Sequence, residues 1–155
     1  MLDSHVLVAA VLDEKSPDRT VVEAILRICS RVVLSEEQRL ERPGGEINQV
    51  LVRMGARPFS QSEVAERLDH AGKLTVLRAS AHVRITDRQR RRAFARSGHR
   101  NVRDDLHLYE AALACRAAVI TRDMNIDKAR VRQATGVETF DVDDVVDDLG
   151  ENGDP

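Results

Sequence analysis

Apolar residues along this chain alternate between helical stripes and short continuous runs. The clearest stripe includes Val21, Val22, Ile25 and Leu26, whose spacing predicts a helix from about residue 18 to residue 30. Runs rich in Val, Ile and Leu predict buried strands instead. The same patterns predict further helices at 36–41, 46–54, 62–70, 86–97, from 105 onward, 125–135 and 142–149, and strands at 31–34, 73–77, 117–123 and 137–140.

This alternation of strands and helices is typical of the α/β class, because the crossover between two parallel strands is usually a helix. We therefore expect an α/β sandwich with a mainly parallel sheet. A chain of 155 residues fits one domain with a single core. No internal repeat or linker divides it, so we predict one domain at residues 1–149 and a frayed acidic tail at 150–155.

Two acidic residues stand where such a fold places ligands. Asp105 lies at a predicted helix start, and Asp123 ends a predicted buried strand. In an open parallel sheet, ligands bind beyond the carboxyl ends of the strands, so both carboxylates are expected to face one crevice. Converging carboxylates repel one another unless a cation or a proton joins them. A site of oxygen ligands favours Mg²⁺ or Mn²⁺, and the matching chemistry is phosphodiester hydrolysis.

Charge is distributed unevenly along the chain. The net charge is only −2, but residues 84–103 contain eight Arg and one acid, whereas residues 138–154 contain eight acids and no Lys or Arg. We expect a basic face and an acidic tail. With no Trp, one Tyr and three Phe, the chain has few rings on which nucleic-acid bases could stack.

Composition also bears on the compartment. Cys29 and Cys115 lie in apolar helical stretches without a CxxC partner, which is typical of buried thiols in a reducing environment. No apolar run approaches the roughly 18 residues that span a bilayer, so no membrane partner is expected. No signal peptide precedes the first cysteine. We predict a cytoplasmic protein.

Four segments, in order, carry a resemblance to a known family. They are Leu2-Asp3-Ser4-His5-Val6-Leu7-Val8, Val32-Val33-Leu34-Ser35-Glu36-Glu37 before Glu41, Asp104-Asp105-Leu106-His107-Leu108 before Ala111-Ala112, and Val119-Ile120-Thr121-Arg122-Asp123. With these segments almost the whole chain resembles a PIN domain, the fold of many metal-dependent ribonucleases, including toxins of toxin–antitoxin pairs. The resemblance implies a three-layer sandwich with a mainly parallel central sheet covered by helices on both faces.

The resemblance also implies a set of site residues. Its catalytic carboxylates would be Asp3, Glu41, Asp105 and Asp123, of which Asp3, Asp105 and Asp123 would hold Mg²⁺ or Mn²⁺. Bound ions in such a site polarise the scissile phosphate and stabilise charge on the leaving oxygen. Three further residues would support the site, with Thr121 orienting the strand exit: Thr121, Asn125 and Asp104.

The match departs from the family pattern near the amino terminus. His5 stands where the family usually has Asn, and only Met1 and Leu2 precede Asp3. Either the strand continues upstream, or it is short and holds Asp3 less firmly. His5 either replaces the Asn hydrogen bond or forms a pH-sensitive contact. The second acid also has alternatives, because Glu36 and Glu37 lie within two turns of Glu41, and Asp104 adjoins Asp105.

The acidic residues predict a metal-dependent nuclease, and the resemblance implies an endoribonuclease with RNA as its partner. In the Arg-rich segment, Arg88, Arg91, Arg92 and Arg96 lie at helical spacing and are expected to contact RNA phosphates without sequence choice. The resemblance adds a small antitoxin protein and a homodimer as partners. The alternative is a PIN-like module that binds RNA or protein without cleavage. A third possibility is another doubly wound fold that catalyses phosphoryl transfer. The sequence does not support it, because no glycine-rich phosphate loop or nucleophile elbow appears.

Overall fold

The computed structural model describes residues 1–39, 45–68, 71–94, 105–124 and 126–151. These ranges contain helices and short strands in alternation, so the predicted mixed α/β class is confirmed. No helix within them is long and apolar enough to cross a membrane. The helices are α1 (Ser4–Leu12), α2 (Pro17–Ile28), α3 (Glu46–Arg53), α4 (Gln61–Arg67), α5 (Asp87–Phe94), α6 (Leu106–Cys115), α7 (Lys128–Thr135) and α8 (Val142–Glu151), and the strands are β1 (Val32–Ser35), β2 (Leu74–Leu77), β3 (Val119–Thr121) and β4 (Thr139–Asp141).

All strand pairs in the described residues are parallel. β1 pairs with β2, with Val32 opposite Leu74, and β3 pairs with β4, with Val119 opposite Thr139. The amino-terminal segment lies beside β3 on its other edge, where Leu2 forms a parallel bridge with Ile120. Two backbone bonds fix this register: Asp3 N donates to Ile120 O over 2.9 Å, and Ile120 N donates to Met1 O over 3.0 Å. Asp3 is thereby held level with the end of β3.

Two apolar clusters form the core, and neighbouring residues of the extended segments belong to different clusters. Leu2, Val32 and Leu34 belong to a cluster with α1, α2, α3 and α4, whereas Met1 and Val33 belong to one with α6 and α7. This division follows from the period of two in extended chain, which sends successive side chains to opposite faces. Helices therefore cover both faces of these segments.

Local hydrogen bonding corrects several predicted element boundaries. The sequence predicts a short first helix that Ser4 could cap, but Ser4 is the first residue of α1, and the cap is Asp3, whose side chain accepts from His5 N. Where a helix is predicted at 36–41, the structure has a 3₁₀ turn over Glu36–Gln38 that ends at Arg39, and residues 40 and 41 lie outside the described part of the chain. The predicted helix at 125–135 begins at Lys128, because the Asp127 side chain accepts from Arg130 N and caps it there.

Candidate functional site

An open cleft of about 700 Å³ lies where several helices begin. Three of its acids stand at helix starts: Asp3 at the N-cap of α1, Glu46 in the first turn of α3, and Asp105 at the N-cap of α6. Asp123 follows β3 by two residues and lines the same cleft. Helix amino termini carry partial positive charge, which favours carboxylates at these positions. The remaining lining residues are His5, Ala9, Gln49, Arg53, Met54 and Arg122.

Asp3 is buried, and both of its carboxylate oxygens accept hydrogen bonds. Oδ1 accepts from His5 N over 2.9 Å, and Oδ2 accepts from Thr121 Oγ1 over 2.6 Å. Burial by itself would raise the pKa of Asp3, but the bonds from His5 and Thr121 outweigh it and lower the pKa. His5 Nδ1 lies 3.5 Å from Asp3 Oδ1, and this contact raises the pKa of the half-exposed His5 ring. Asp3 is therefore a preformed anion.

Thr121 connects Asp3 to the loop that carries Asp123. Its hydroxyl donates to Asp3, and its oxygen accepts from Asp123 N over 3.0 Å. Thr121 is buried, so its single hydroxyl fixes both the carboxylate and the backbone after β3. This is the geometry expected of a residue that orients the strand exit.

Glu46 joins a polar network that crosses four elements. Its Oε2 atom accepts from Ser4 Oγ over 2.7 Å and lies 3.3 Å from His107 Nε2, while His107 Nδ1 lies 3.2 Å from Ser35 Oγ. Burial would raise the pKa of Glu46, yet the bonds from His107 and Ser4 lower it. Burial would likewise lower the pKa of His107, but the bond to Glu46 raises it. Both partners are therefore favoured in their charged forms.

Gln38 ties this network to the amino-terminal segment. Its buried amide nitrogen donates to Leu2 O over 2.8 Å and to Ser4 Oγ over 3.0 Å, and its amide oxygen accepts from Ser35 N over 2.9 Å. Both amide hydrogens and the amide oxygen are therefore paired with protein groups. Gln38 thus holds the end of β1 against the residues that flank Asp3.

Asp105 differs from the other acids because few local bonds hold it. It occupies the N-cap of α6, but its side chain makes no capping hydrogen bond. Burial, followed by the negative charges of Asp3 and Glu46, raises the pKa of Asp105 to about 7. The charge of Asp123 acts in the same direction. The pKa of Asp105 is therefore set by burial and by the other acids of the cleft together.

Arg122 fixes the wall of the cleft from outside the acidic group. Its Nε donates to Oδ1 of the buried Asp18 over 2.7 Å, and a second guanidinium nitrogen lies 3.7 Å from Asp143 Oδ1. These contacts join the end of β3 to the start of α2 and to α8. Arg122 is thereby engaged as a structural cation.

The predicted site residues fall into three groups. Asp3, Asp105 and Asp123 line one cleft, and Thr121 lies beneath it. The arginines Arg88, Arg91 and Arg92 are exposed on α5, which packs against α7, and do not line the cleft. The other predicted residues lie outside the described part of the chain: Glu41, Arg96, Asp104 and Asn125.

Glu46 and His107 were absent from the predicted set. A Glu in the first turn of a helix is usually explained by the helix dipole, so its sequence position alone does not mark a site. The sequence offers only a polar row on this helix, with Gln49 and Arg53 three and seven positions after Glu46, and the structure places that row on the cleft.

The chemistry of the acids fits a hard divalent cation, since all four offer only oxygen. Within the described ranges, however, no group of three or more His, Cys, Asp or Glu side chains is arranged to hold a metal ion. The assignment of Asp3, Asp105 and Asp123 as metal ligands therefore stays a prediction. No protein-family model, curated protein or solved structure matches this chain. The function of the protein is therefore inferred from the geometry of the cleft.

Proposed function

We propose that this protein is a PIN-like endoribonuclease that depends on Mg²⁺ or Mn²⁺ and uses the acidic cleft as its active site. The observation that carries the proposal is the convergence of Asp3, Glu46, Asp105 and Asp123 from four separate parts of the chain. Isolated acids at helix starts have an ordinary electrostatic explanation. Four acids around one cleft repel each other unless a cation or a proton lies between them.

The fold supports the PIN-like part of the proposal. All described strand pairs are parallel, and apolar clusters lie on both faces of the extended segments. Helices on both faces are what a three-layer sandwich requires, and the described strands form two separate two-stranded sheets, β1 with β2 and β3 with β4. Asp3 and Asp123 follow neighbouring parallel segments, at the end where ligands bind in such sheets.

The chain's own residues would have separate tasks in the reaction. A bound divalent cation would polarise the scissile phosphate and lower the pKa of an attacking water. Asp3, oriented by Thr121, and Glu46, held by His107, supply standing negative charge. Asp105, whose pKa is about 7, carries the proton that must leave before its carboxylate can bind a cation.

The basic residues support RNA as the substrate. The exposed arginines of α5, Arg88, Arg91 and Arg92, would bind phosphates away from the cleft and add affinity without sequence choice. The family resemblance adds a narrower proposal, that the protein is the toxin of a toxin–antitoxin pair. A gene for a small protein directly beside this one is the observation that tests it.

The nuclease proposal is tested by incubating a mixed RNA pool with Mn²⁺, Mg²⁺ or EDTA. Wild type is compared with Asp105→Asn and Asp123→Asn at equal folded concentration, and Asp127→Asn, at an exposed helix cap, is the matched control. We expect cleavage by wild type and the control in Mn²⁺ or Mg²⁺, none in EDTA, and a loss of at least about 100-fold in both site variants. Cleavage that survives EDTA, or survives both substitutions, would refute the proposed site.

A second candidate function is a PIN-like module that binds RNA without cutting it. It is favoured by the lack of a group arranged to hold a metal ion within the described residues. Titration with Mn²⁺, followed by calorimetry, separates the two candidates. Absence of Mn²⁺ binding together with RNA binding would select the module.

A further inference from the structure

Helix α3 presents two different faces. Ile47, Val50 and Leu51 are buried in the core, whereas Glu46, Gln49 and Arg53 line the cleft. Positions three and seven residues apart lie on one side of an α-helix, so these three form a single row. Seven residues rise about 10 Å, so the row runs from an acid near the other carboxylates to a cation farther along the wall.

Arg53 differs in its contacts from the other arginine of the cleft. It is exposed, and its Nε donates to Gln49 O of its own helix over 3.3 Å. Among the described residues, no carboxylate forms an ion pair with Arg53, whereas Arg122 is engaged by Asp18 and Asp143. In the part of the chain that the structure describes, the positive charge of Arg53 therefore lines the cleft without an ion-pair partner.

A polyanion that approaches the acidic end of this cleft is repelled there and needs a compensating cation nearby. We infer that Arg53, with Gln49 beside it, binds a phosphodiester next to the one that is cut, so that α3 is the wall along which an RNA strand lies. This inference rests on the proposed function for RNA as the ligand and for the position of the scissile phosphate. A guanidinium suits the role because its planar donors match phosphate oxygens in pairs.

The geometry makes α3 a different binding element from α5. A phosphate at Arg53 would lie about 10 Å along the helix from Glu46, whereas the α5 arginines do not line the cleft at all. Loss of Arg53 should therefore weaken binding of a strand that occupies the cleft. Loss of the α5 charges should act only on RNA that extends beyond it.

The test measures binding without metal, by fluorescence anisotropy of a short labelled single-stranded RNA in EDTA across a range of NaCl concentrations. The variants are Arg53→Gln and Arg53→Lys, with Arg31→Gln as a control that removes one exposed charge at the amino end of β1. A triple variant, Arg88→Gln, Arg91→Gln and Arg92→Gln, reports on α5. We expect Arg53→Gln to weaken binding about fivefold and to lower the salt slope by about 0.7, and Arg53→Lys to keep most of the affinity.

Equal affinities for Arg53→Gln and Arg31→Gln, or no RNA binding by wild type, would overturn the inference. RNA cleavage by wild type with no effect of Arg53→Gln on binding would leave the nuclease standing and remove the role of Arg53. RNA binding that depends on Arg53, in a protein that does not cleave RNA, would keep the role of Arg53 and refute the nuclease. The two proposals therefore fail separately.

Discussion

Thr121 Oγ1 lies 2.6 Å from Asp3 Oδ2, joining two residues that are 118 positions apart in the chain. The same oxygen accepts from Asp123 N, so one buried hydroxyl sets the position of two acids of the cleft. A residue of this kind contributes twice, to folding and to the geometry of the site.

Replacement of Thr121 by Val should separate these two contributions. The side chain keeps its shape, but Asp3 Oδ2 and Asp123 N lose their partner, which should cost about 1–3 kcal/mol of unfolding free energy. Mn²⁺ affinity should fall about 10- to 100-fold. Urea denaturation and calorimetric Mn²⁺ titration measure the two effects, and Thr121→Ser is the control that keeps the hydroxyl. Equal Mn²⁺ affinity in the Val and Ser variants would contradict the orienting role.

Asp105 should destabilise the folded protein at high pH. Its pKa is about 7 in the folded state and near 3.8 in the unfolded chain, so the folded state holds more protons between these values. Stability therefore falls as the pH rises from about 4 to 7, and the cost is complete above 7. Asp105→Asn should raise the unfolding free energy at pH 8 by about 1–2 kcal/mol, a value reduced for partial solvent screening, and should change it little at pH 4.

Denaturant unfolding at both pH values measures this effect, with the exposed cap variant Asp127→Asn as the control. Added Mn²⁺ should stabilise wild type and release a proton near pH 7, because the cation competes with the proton of Asp105. If Asp105→Asn raised the unfolding free energy by the same amount at pH 4 and pH 8, burial of the charged carboxylate would not be the cause of the gain.

His107 should stabilise the protein over a limited pH range. Because the pKa of His107 is raised, its pairing with Glu46 stabilises the folded state fully below about pH 6.5. This stabilisation is lost as the pH rises through the pKa of His107 in the folded state. Because the pKa of Glu46 is lowered, the same pairing stabilises the folded state above about pH 4.5, and this stabilisation is lost as the pH falls through the pKa of Glu46 in the folded state. His107→Ala should therefore cost about 1–2 kcal/mol between these limits and less at pH 9. Denaturation at pH 5.5 and 9 tests this, and a cost that does not change with pH would indicate packing alone.

Arg122 should stabilise the fold through Asp18. Removal of the arginine leaves a buried carboxylate without its charged partner, so Arg122→Ala should lower the unfolding free energy by about 2–3 kcal/mol. Asp18→Asn in the same chain should recover part of that loss. A double-mutant cycle measured by urea denaturation gives the coupling, and strictly additive losses would show that the pair contributes nothing.

Local patterns were sufficient for much of the fold. The stripe around Val21 and Leu26 predicted α2 to within two residues, and the strand near Leu34 was predicted one residue early. Boundaries shifted where side chains compete for backbone groups, as Asp127 does at the start of α7. Such competition depends on single hydrogen bonds, which a hydrophobic period does not encode.

The sequence by itself determined the α/β class and the acids that follow a strand or begin a helix, because these depend on spacing over a few residues, although β3 ends at Thr121, two residues before the predicted end at Asp123. Only the tertiary structure decided that Glu46 faces Asp3, that His107 bonds to Glu46, and that Arg53 and not α5 lines the cleft. These relations depend on which faces meet after the helices pack against the strands. Burial and Coulombic interaction act through space, so the raised pKa of Asp105 exists only in the folded chain.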